Sequence, residues 1–291
     1  MDIPFDILRI VASFIVKPRM KLLDWIPEDK LNWEWLSMNP NAIHLLEKYP
    51  DKINWAKLSR NPNALHLLTK NLDEIRWYFL SSNPNAIHLL EQNLDKINWT
   101  ELSRNPNVLN AIHLLEKYPE KIDWLYLSAN QNAIHLLTKY YYKIDWDGLS
   151  ANRDIPYAMH LLEKHVSKIN WFSLSANPSA IHILEKYPDK IKWDYLSFNP
   201  CAIHLLTKNL DKINWDALSK NPNAIHILEK NPDKIYWHNL LINPNALHLL
   251  TKYPDKIKWD YLSTNPIIFE IDTKQTNVEL TKRAKNIDFY K

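Results

Sequence analysis

The sequence predicts an all-α fold, an α-solenoid of about eleven repeats in which each repeat is a pair of short helices. Tryptophan returns after 22 residues eight times and after 25 residues twice, and such a period indicates an array of stacked units. The single glycine, Gly148, argues against glycine-rich phosphate loops and against the glycine-containing hairpins of all-β folds. A unit of this size cannot bury its own apolar face, so we expect one elongated domain with a long surface. Repeats 1 to 11 are marked by Trp33, Trp55, Trp77, Trp99, Trp124, Trp146, Trp171, Trp193, Trp215, Trp237 and Trp259.

The second half of each repeat is predicted to be a helix. In repeat 1, Asn39 suits the helix N-cap and Pro40 suits the first helical position, where its missing N–H group costs nothing. Leu45 and Leu46 belong to a broad apolar arc that would be buried between neighbouring repeats. The helix is expected to end at Tyr49, which precedes a proline. Asn recurs at the cap position in all eleven repeats, and Pro follows it in all but two.

The first half of each repeat fits two structures. In repeat 2, Trp55 and Leu58 are one helical turn apart and Asn54 could cap them, which predicts a second, shorter helix. Ile53 and Trp55 also alternate with a period of two, as in a strand, and a strand here would give a leucine-rich-repeat-like α/β horseshoe. One apolar position of that motif falls on Ala56, which is most often Asp in the other repeats. We therefore favour paired short helices.

Three segments follow from this pattern. Residues 27–266 are the predicted repeat solenoid. Residues 1–26 are predicted to form an N-terminal helical cap that covers the open face of repeat 1, because Ile7, Val11 and Phe14 fall on one helical face. Residues 267–291 are predicted to form a C-terminal cap and a polar tail.

Two repeats contain three additional residues each, near Val108 and near Arg153. Both insertions lie at the start of the second helix, and three residues are close to one helical turn. We expect either an earlier helix start or a bulged loop at these two places.

The recurring polar residues do not form a chemical site in the sequence. Ten histidines, including His44 and His66, return in register, but stacked helices lie about 8 to 10 Å apart, whereas a bond from histidine to a metal is near 2 Å. We expect each histidine to bond a backbone group of the adjacent repeat. A catalytic site is singular, while every prominent polar residue here is repeated. The sequence thus predicts a non-enzymatic protein without a metal, a cofactor or a small-molecule substrate.

Composition favours an intracellular protein. The net charge is +3, from 36 basic and 33 acidic residues, which is not the basic surface of a nucleic-acid-binding protein. The longest mostly apolar run near the N-terminus, residues 10–16, is far shorter than the roughly 20 residues that span a bilayer. Asp2 and Asp6 replace the positive start of a secretory signal, and one cysteine, Cys201, cannot form an intramolecular disulfide. We expect a reducing compartment and no membrane association.

The positions that differ between repeats are the candidates for binding. The variable strip is defined as the first, second and fifth residues after each repeat tryptophan. In a repeat protein the constant residues hold the stack and the variable residues lie on its exposed face, and aromatic and arginine side chains are enriched at protein interfaces. The predicted partner-binding residues are Trp35, Met38, Arg60, Tyr78, Phe79, Arg104, Tyr126, Phe172, Tyr195, Phe198, Lys220 and Tyr261.

The repeat motif, Ile-Asn-Trp-x-x-Leu-Ser-x-Asn-Pro-Asn-Ala-Ile-His-Leu-Leu-Glu-Lys-Tyr-Pro-Asp-Lys, resembles the tandem repeats of proteins encoded by giant DNA viruses that infect amoebae. The resemblance covers residues 27–266. It implies a viral protein that acts in the host cell cytoplasm or is carried in the virion.

The N-terminal segment, Ile-Pro-Phe-Asp-Ile-Leu with a further apolar helix, resembles the opening of an F-box. In that family the segment docks onto the linker subunit of a cullin-based ubiquitin ligase. The resemblance implies docking through Ile3, Pro4, Ile7, Leu8, Val11 and Phe14.

The sequence suggests three possible functions. The first is a protein–protein interaction scaffold, about 100 Å long at about 10 Å per stacked unit, that binds a protein partner through the variable strip. The second is an F-box-type substrate adaptor that recruits a host ubiquitin ligase. The third is a structural component of a virus particle.

Overall fold

The computed structural model describes Ala12 and residues 18–288. The six ligase-docking candidates, Ile3, Pro4, Ile7, Leu8, Val11 and Phe14, lie outside the described residues. Docking to a ubiquitin ligase therefore stays a prediction.

Repeats 1 to 10 are pairs of short helices, which confirms the predicted all-α solenoid, and in repeat 11 the first helix is followed by the 3-10 helix Pro266–Ile268. Ile53 and Asn54 are extended, but they only link a 3-10 turn to the next helix and join no sheet, so the leucine-rich-repeat alternative is wrong. The first helices are α1 (Trp33–Leu36), α3 (Trp55–Arg60), α5 (Trp77–Leu80), α7 (Trp99–Ser103), α9 (Trp124–Ala129), α11 (Trp146–Ala151), α13 (Trp171–Ala176), α15 (Trp193–Leu196), α17 (Trp215–Lys220), α19 (Trp237–Leu240) and α21 (Trp259–Leu262). The second helices are α2 (Ile43–Lys48), α4 (Leu65–Lys70), α6 (Ile87–Glu91), α8 (Ile112–Lys117), α10 (Ile134–Lys139), α12 (His160–Lys164), α14 (Ile181–Lys186), α16 (Ile203–Lys208), α18 (Ile225–Lys230) and α20 (Leu247–Lys252).

The second helix begins later than the sequence predicted. The side chain of Asn39 accepts a hydrogen bond from the backbone N–H of Asn41 at 3.0 Å, and the backbone N–H of Ala42 donates to the carbonyl of Asn39 at 3.1 Å. These bonds close a tight turn, and Ala42 at φ −84° and ψ 0° ends it outside ideal helical geometry. Regular helical bonding therefore starts at Ile43, and the helix is shorter than expected.

The same asparagine joins consecutive repeats. The buried side chain of Asn61 donates to the carbonyl of Ser37 at 3.0 Å and to the carbonyl of Asn39 at 2.9 Å, both in the preceding repeat. We call this pair of bonds the asparagine clamp, and it is present in all eleven repeats. The hydroxyl of Ser37 donates to the carbonyl of Trp33 and also accepts from the backbone N–H of Asn54 in the next repeat.

The eleven repeats close into a ring. Asn39 of repeat 1 donates to the carbonyls of Ser263 and Asn265 in repeat 11, each at 3.1 Å. This is the same clamp that joins all the other pairs of neighbouring repeats. The backbone N–H of Asn32 donates to the hydroxyl of Ser263 at 2.9 Å, again as in the interior of the array. The expected elongated array with open ends is therefore wrong, because repeat 1 lies on repeat 11 as a twelfth repeat would.

The segments on either side of the repeats join each other at this junction. Strand β1 (Met20–Leu22) pairs antiparallel with strand β2 (Phe269–Ile271). Helix α22 (Thr273–Asp288) follows, and Ala284 on it packs against Ala12. Repeat 11 occupies the face of repeat 1 that residues 1–26 were expected to cover. No helix in the described part of the chain is both long and apolar enough to cross a membrane.

The first helices lie nearer the ring axis than the second helices. First helices of successive repeats approach each other closely, most of all α9 and α11, while successive second helices stay farther apart. In a closed ring, equivalent atoms of neighbouring units are closer together the nearer they lie to the axis. Gly148 permits the closest approach, since a Cβ atom there would lie 2.2 Å from the carbonyl oxygen of Leu125. The first helices thus form the inner rim.

Six of the repeat tryptophans pack against the aromatic side chain that ends the second helix of their own repeat. The indole of Trp33 meets the ring of Tyr49 edge-on at 5.2 Å, and the Lys52 ammonium lies 4.5 Å from its centre. The indole is only partly buried, whereas Leu36 and Leu46 are fully buried. In these repeats the tryptophan fixes the end of the second helix against the first.

Both three-residue insertions lengthen the start of a second helix. Val108–Ala111 forms a 3-10 helix before α8, and Ile155–Met159 forms a π-helix before α12. The earlier helix start, one of the two expected outcomes, is therefore what the insertions produce.

The role of the clamp can be tested by its effect on the stability of the fold, at Asn61 in repeat 2. Asn61→Ala should lower the free energy of unfolding by about 2 to 4 kcal/mol, because it removes a turn cap and leaves buried carbonyls without a donor. Asn63→Ala is the matched control: its side chain bonds the carbonyl of Pro40 from an exposed position, so we expect a loss under about 1 kcal/mol. Urea unfolding followed by circular dichroism measures both, and equal losses would contradict the clamp's role.

Candidate partner-binding surface

The variable strip lies on one face of the first helices. In a helix, the first and fifth residues after the tryptophan are four apart and the second and fifth are three apart, so all three share a face. The third residue after the tryptophan is a buried leucine such as Leu58, which points to the core. Since the first helices form the inner rim, the strip lines the inside of the ring.

A buried glutamate organises the strip across repeats 2 to 5. The side chain of Glu101 is only 3% exposed, and its two carboxylate oxygens accept from Arg60 at 3.1 Å and from Arg104 at 3.3 Å. Arg60 belongs to repeat 2 and Glu101 to repeat 4, so side chains two repeats apart meet, as expected on a concave surface. The guanidinium groups lie over aromatic rings, Arg60 at 5.2 Å from Phe79 and Arg104 at 4.5 Å from Tyr126.

Tyr78 completes this cluster. Its ring meets the ring of Phe79 edge-on at 5.1 Å, and 52% of the residue is exposed. A hydrogen bond with Glu101 raises the pKa of the Tyr78 hydroxyl, and the negative charge of Glu101 raises that pKa further. The hydroxyl therefore remains protonated and able to donate at neutral pH.

The strip across repeats 7 to 11 contains exposed Phe and Tyr side chains in repeats 7, 8 and 11. The rings of Phe172 and Tyr195 meet edge-on at 5.3 Å, and the Lys192 ammonium lies 5.0 Å from the centre of Phe172. Phe198 is exposed, with the Lys220 ammonium 5.8 Å from its ring. Neighbouring repeats are thus linked by ring contacts and by lysines that lie over rings.

Ring closure makes the strip continuous past its ends. Tyr261 of repeat 11 contacts the ring of His238 at 6.4 Å, and repeat 1 lies directly beyond it. In repeat 1, Trp35 is half-buried under the ammonium of Lys57 at 4.0 Å, and Met38 is half-buried. The twelve candidates therefore occupy two sectors, an arginine-containing sector from repeat 1 to repeat 5 and an aromatic sector from repeat 7 to repeat 11.

Several residues of this surface were not among the candidates. Glu101 is the second residue after Trp99, a position that varies between repeats, and this variation could have identified it as a candidate. Lys192 and Tyr236 directly precede the tryptophan, where seven repeats have a capping Asn or Asp, and their departure from that pattern was also a signal. The burial of Glu101 could not be inferred from the sequence, because it depends on an arginine two repeats away.

The register histidines lie on the second helices and form a ladder with glutamates. His66 Nε2 lies 2.9 Å from Glu47 Oε1 of the preceding repeat, so the expected bond to the backbone of the adjacent repeat is wrong. Burial raises the pKa of Glu47, but hydrogen bonds with His66 and His44 outweigh it and the net pKa is lowered. Among residues 18–288, no three histidine, cysteine or acidic side chains gather as metal ligands would. The cross-repeat pairs are His66 with Glu47, His113 with Glu91, His135 with Glu116, His182 with Glu163, His204 with Glu185, and His248 with Glu229.

The contribution of the buried Glu101 carboxylate to the stability of the arginine sector can be tested by substitution. Glu101→Gln should lower the free energy of unfolding by about 1 to 3 kcal/mol, because charge-assisted bonds to two arginines are replaced by weaker ones. Glu34→Gln is the control: Glu34 is exposed and its ion pair with Lys57 is 4.0 Å long, so we expect less than about 0.5 kcal/mol. Urea unfolding measures both, and a negligible loss for Glu101→Gln would show that Glu101 does not hold the sector together.

No protein-family model matches the chain, and comparisons with curated proteins and with solved structures likewise gave no match.

Proposed function

We propose that the protein is a non-enzymatic scaffold that binds a protein partner through the variable strip. Helical repeat folds commonly serve as protein-interaction scaffolds. The observation that supports the proposal is the strip itself, in which exposed and half-buried aromatic and arginine side chains of successive repeats contact one another along a concave surface. Such side chains provide large contact areas at protein interfaces.

The charge of the strip favours a polypeptide over a nucleic acid. Exposed Asp147, Asp194, Asp216 and Asp260 each lie one residue after a tryptophan, within the strip. Their charges would repel a phosphate backbone along repeats 6 to 11, whereas a protein surface of mixed charge can complement them. The aromatic rings between these aspartates would supply the buried core of such an interface.

The test compares two variants that each contain three alanine substitutions. The strip variant combines Phe172→Ala, Tyr195→Ala and Phe198→Ala, all exposed on the inner rim. The control variant combines three exposed residues of the second helices, Lys70→Ala, Thr138→Ala and Lys208→Ala. Affinity purification from transfected cells, with quantitative mass spectrometry, should identify proteins that the control variant retains and the strip variant loses.

Circular dichroism and size-exclusion chromatography establish that both variants keep the fold. Retention of every partner by the folded strip variant would reject the proposal. Equal loss from both variants would also reject it, because binding would then not depend on the strip. The ligase-adaptor and virus-particle functions stay predictions.

A further inference from the structure

An open hollow of about 220 Å³ lies where the arginine sector meets repeats 5 and 6. Arg104 and Arg153 line it, and its small side chains are Ala129 and Ala151, the fifth residues after their tryptophans. The amide-bearing Gln131 also lines the hollow, and none of the described residues that line it is acidic. The hollow is therefore positively charged and open to the strip.

The residues that break the repeat pattern converge on this hollow. Proline follows the clamp asparagine in every repeat except two consecutive ones, where Gln131 and Arg153 stand instead. Both of these residues line the hollow. Proline is replaced twice, in neighbouring repeats and around one cavity, which indicates that the two replacements serve the same function.

Backbone geometry does not require these two departures. Asn130 (φ −85°, ψ 112°) and Asn152 (φ −70°, ψ 130°) have the extended conformation that precedes proline, and Asn61, which does precede one, has φ −70° and ψ 118°. Proline would fit both positions and would restrict the unfolded chain. What glutamine and arginine add is therefore their polar side chains.

The arginines near the hollow retain donors for a ligand. One nitrogen of Arg104 is held by Glu101, while 46% of the Arg104 side chain is exposed. Arg153 is exposed, and within residues 18–288 its guanidinium group has no hydrogen-bond or ion-pair partner, while its backbone carbonyl accepts from the Ser179 hydroxyl. Arg104 and Arg153 give the hollow two positive charges, and Glu101, which holds Arg104 from outside the hollow, is also paired with Arg60.

These two positive charges match a phosphate monoester, which carries about −1.5 to −2 at neutral pH and has three acceptor oxygens. Two arginines and the amide of Gln131 can serve those oxygens, whereas a carboxylate is already satisfied by one guanidinium fork. A hollow of about 220 Å³ is smaller than the roughly 300 to 1,000 Å³ of small-molecule sites, so it fits a phosphate group and not a whole nucleotide.

We propose that this hollow binds a phosphate group carried on a phosphorylated side chain of the protein partner. The assignment of the phosphate to a protein rests on the function proposed above. The rest of the partner would lie along the variable strip, onto which the hollow opens.

Two probes test the proposal on the full chain. Inorganic phosphate is titrated while backbone amide signals are followed by NMR, since Gln131 and Arg153 provide N–H signals where the other repeats have proline. An array of degenerate peptides centred on phosphoserine is compared with the same array centred on serine. We expect phosphate to shift the signals of Gln131 and Arg153, and phosphoserine peptides to bind more tightly than phosphate or serine peptides.

The variants use the chain's own repeat pattern. Arg153→Pro restores the residue found in nine other repeats, so it should fold, and it should weaken phosphate and phosphopeptide binding by about tenfold or more. Arg104→Gln should weaken both similarly. Arg76→Gln removes one exposed charge outside the hollow, where Arg76 pairs with Glu74 at 3.9 Å, and should change binding by less than about twofold.

Three results would overturn the proposal: no shift with millimolar phosphate, equal binding by folded Arg153→Pro, or phosphoserine peptides that bind no better than serine peptides. Salt-sensitive binding of single-stranded RNA in place of phosphopeptides would also overturn it. These failures are distinct from failure of the scaffold proposal, because Arg153→Pro leaves Phe172, Tyr195 and Phe198 intact.

Discussion

The asparagine clamp is the interaction on which the architecture depends. A buried primary amide has two N–H groups and one carbonyl, and in each clamp all of them are used. The N–H groups bond two carbonyls of the preceding repeat, and the side-chain oxygen caps the asparagine's own turn, as Asn61 does with the N–H of Asn63. Aspartate lacks the donors, and glutamine would place them too far from the backbone. One residue thereby sets both the local turn and the distance between repeats.

The serine before the clamp adds a second link of the same kind. Its hydroxyl donates within its own repeat and accepts from the first-helix cap of the next repeat, as Ser37 does with Trp33 and Asn54. Closure follows when these links bring repeat 1 onto repeat 11, where Ser263 and Asn265 are the partners. A closed ring fixes the curvature of the inner rim before a partner binds, and a preorganised surface loses less entropy on binding.

The sequence was sufficient for the local structure and insufficient for the global one. Helix pairs followed from the alternation of capping asparagine, proline and leucine, because these residues act over a few positions. Closure could not be predicted, because it requires each repeat to turn by one eleventh of a full rotation and small differences per repeat accumulate over the array. The repeat pattern is the same for an open superhelix and for a ring.

The candidate surface was likewise predictable only in part. Variation between repeats identified exposed residues such as Tyr78, Phe172 and Phe198, since residues that do not hold the stack are free to differ. It did not identify Glu101, whose burial depends on Arg60 two repeats earlier. Nor did the histidine register reveal its partner, because Glu47 and His66 meet only when two second helices are placed side by side.

Closure of the ring can be measured directly by the dipolar coupling between nitroxide labels. In a Cys201→Ser background, labels at Glu34→Cys and Asp260→Cys report on repeats 1 and 11, and labels at Asp194→Cys and Asp216→Cys report on the neighbouring repeats 8 and 9. All four residues are exposed and occupy the first position after a tryptophan. A closed ring predicts the same strong coupling for both pairs. Coupling in the second pair alone would contradict closure, since the ends of an open array would lie roughly 100 Å apart.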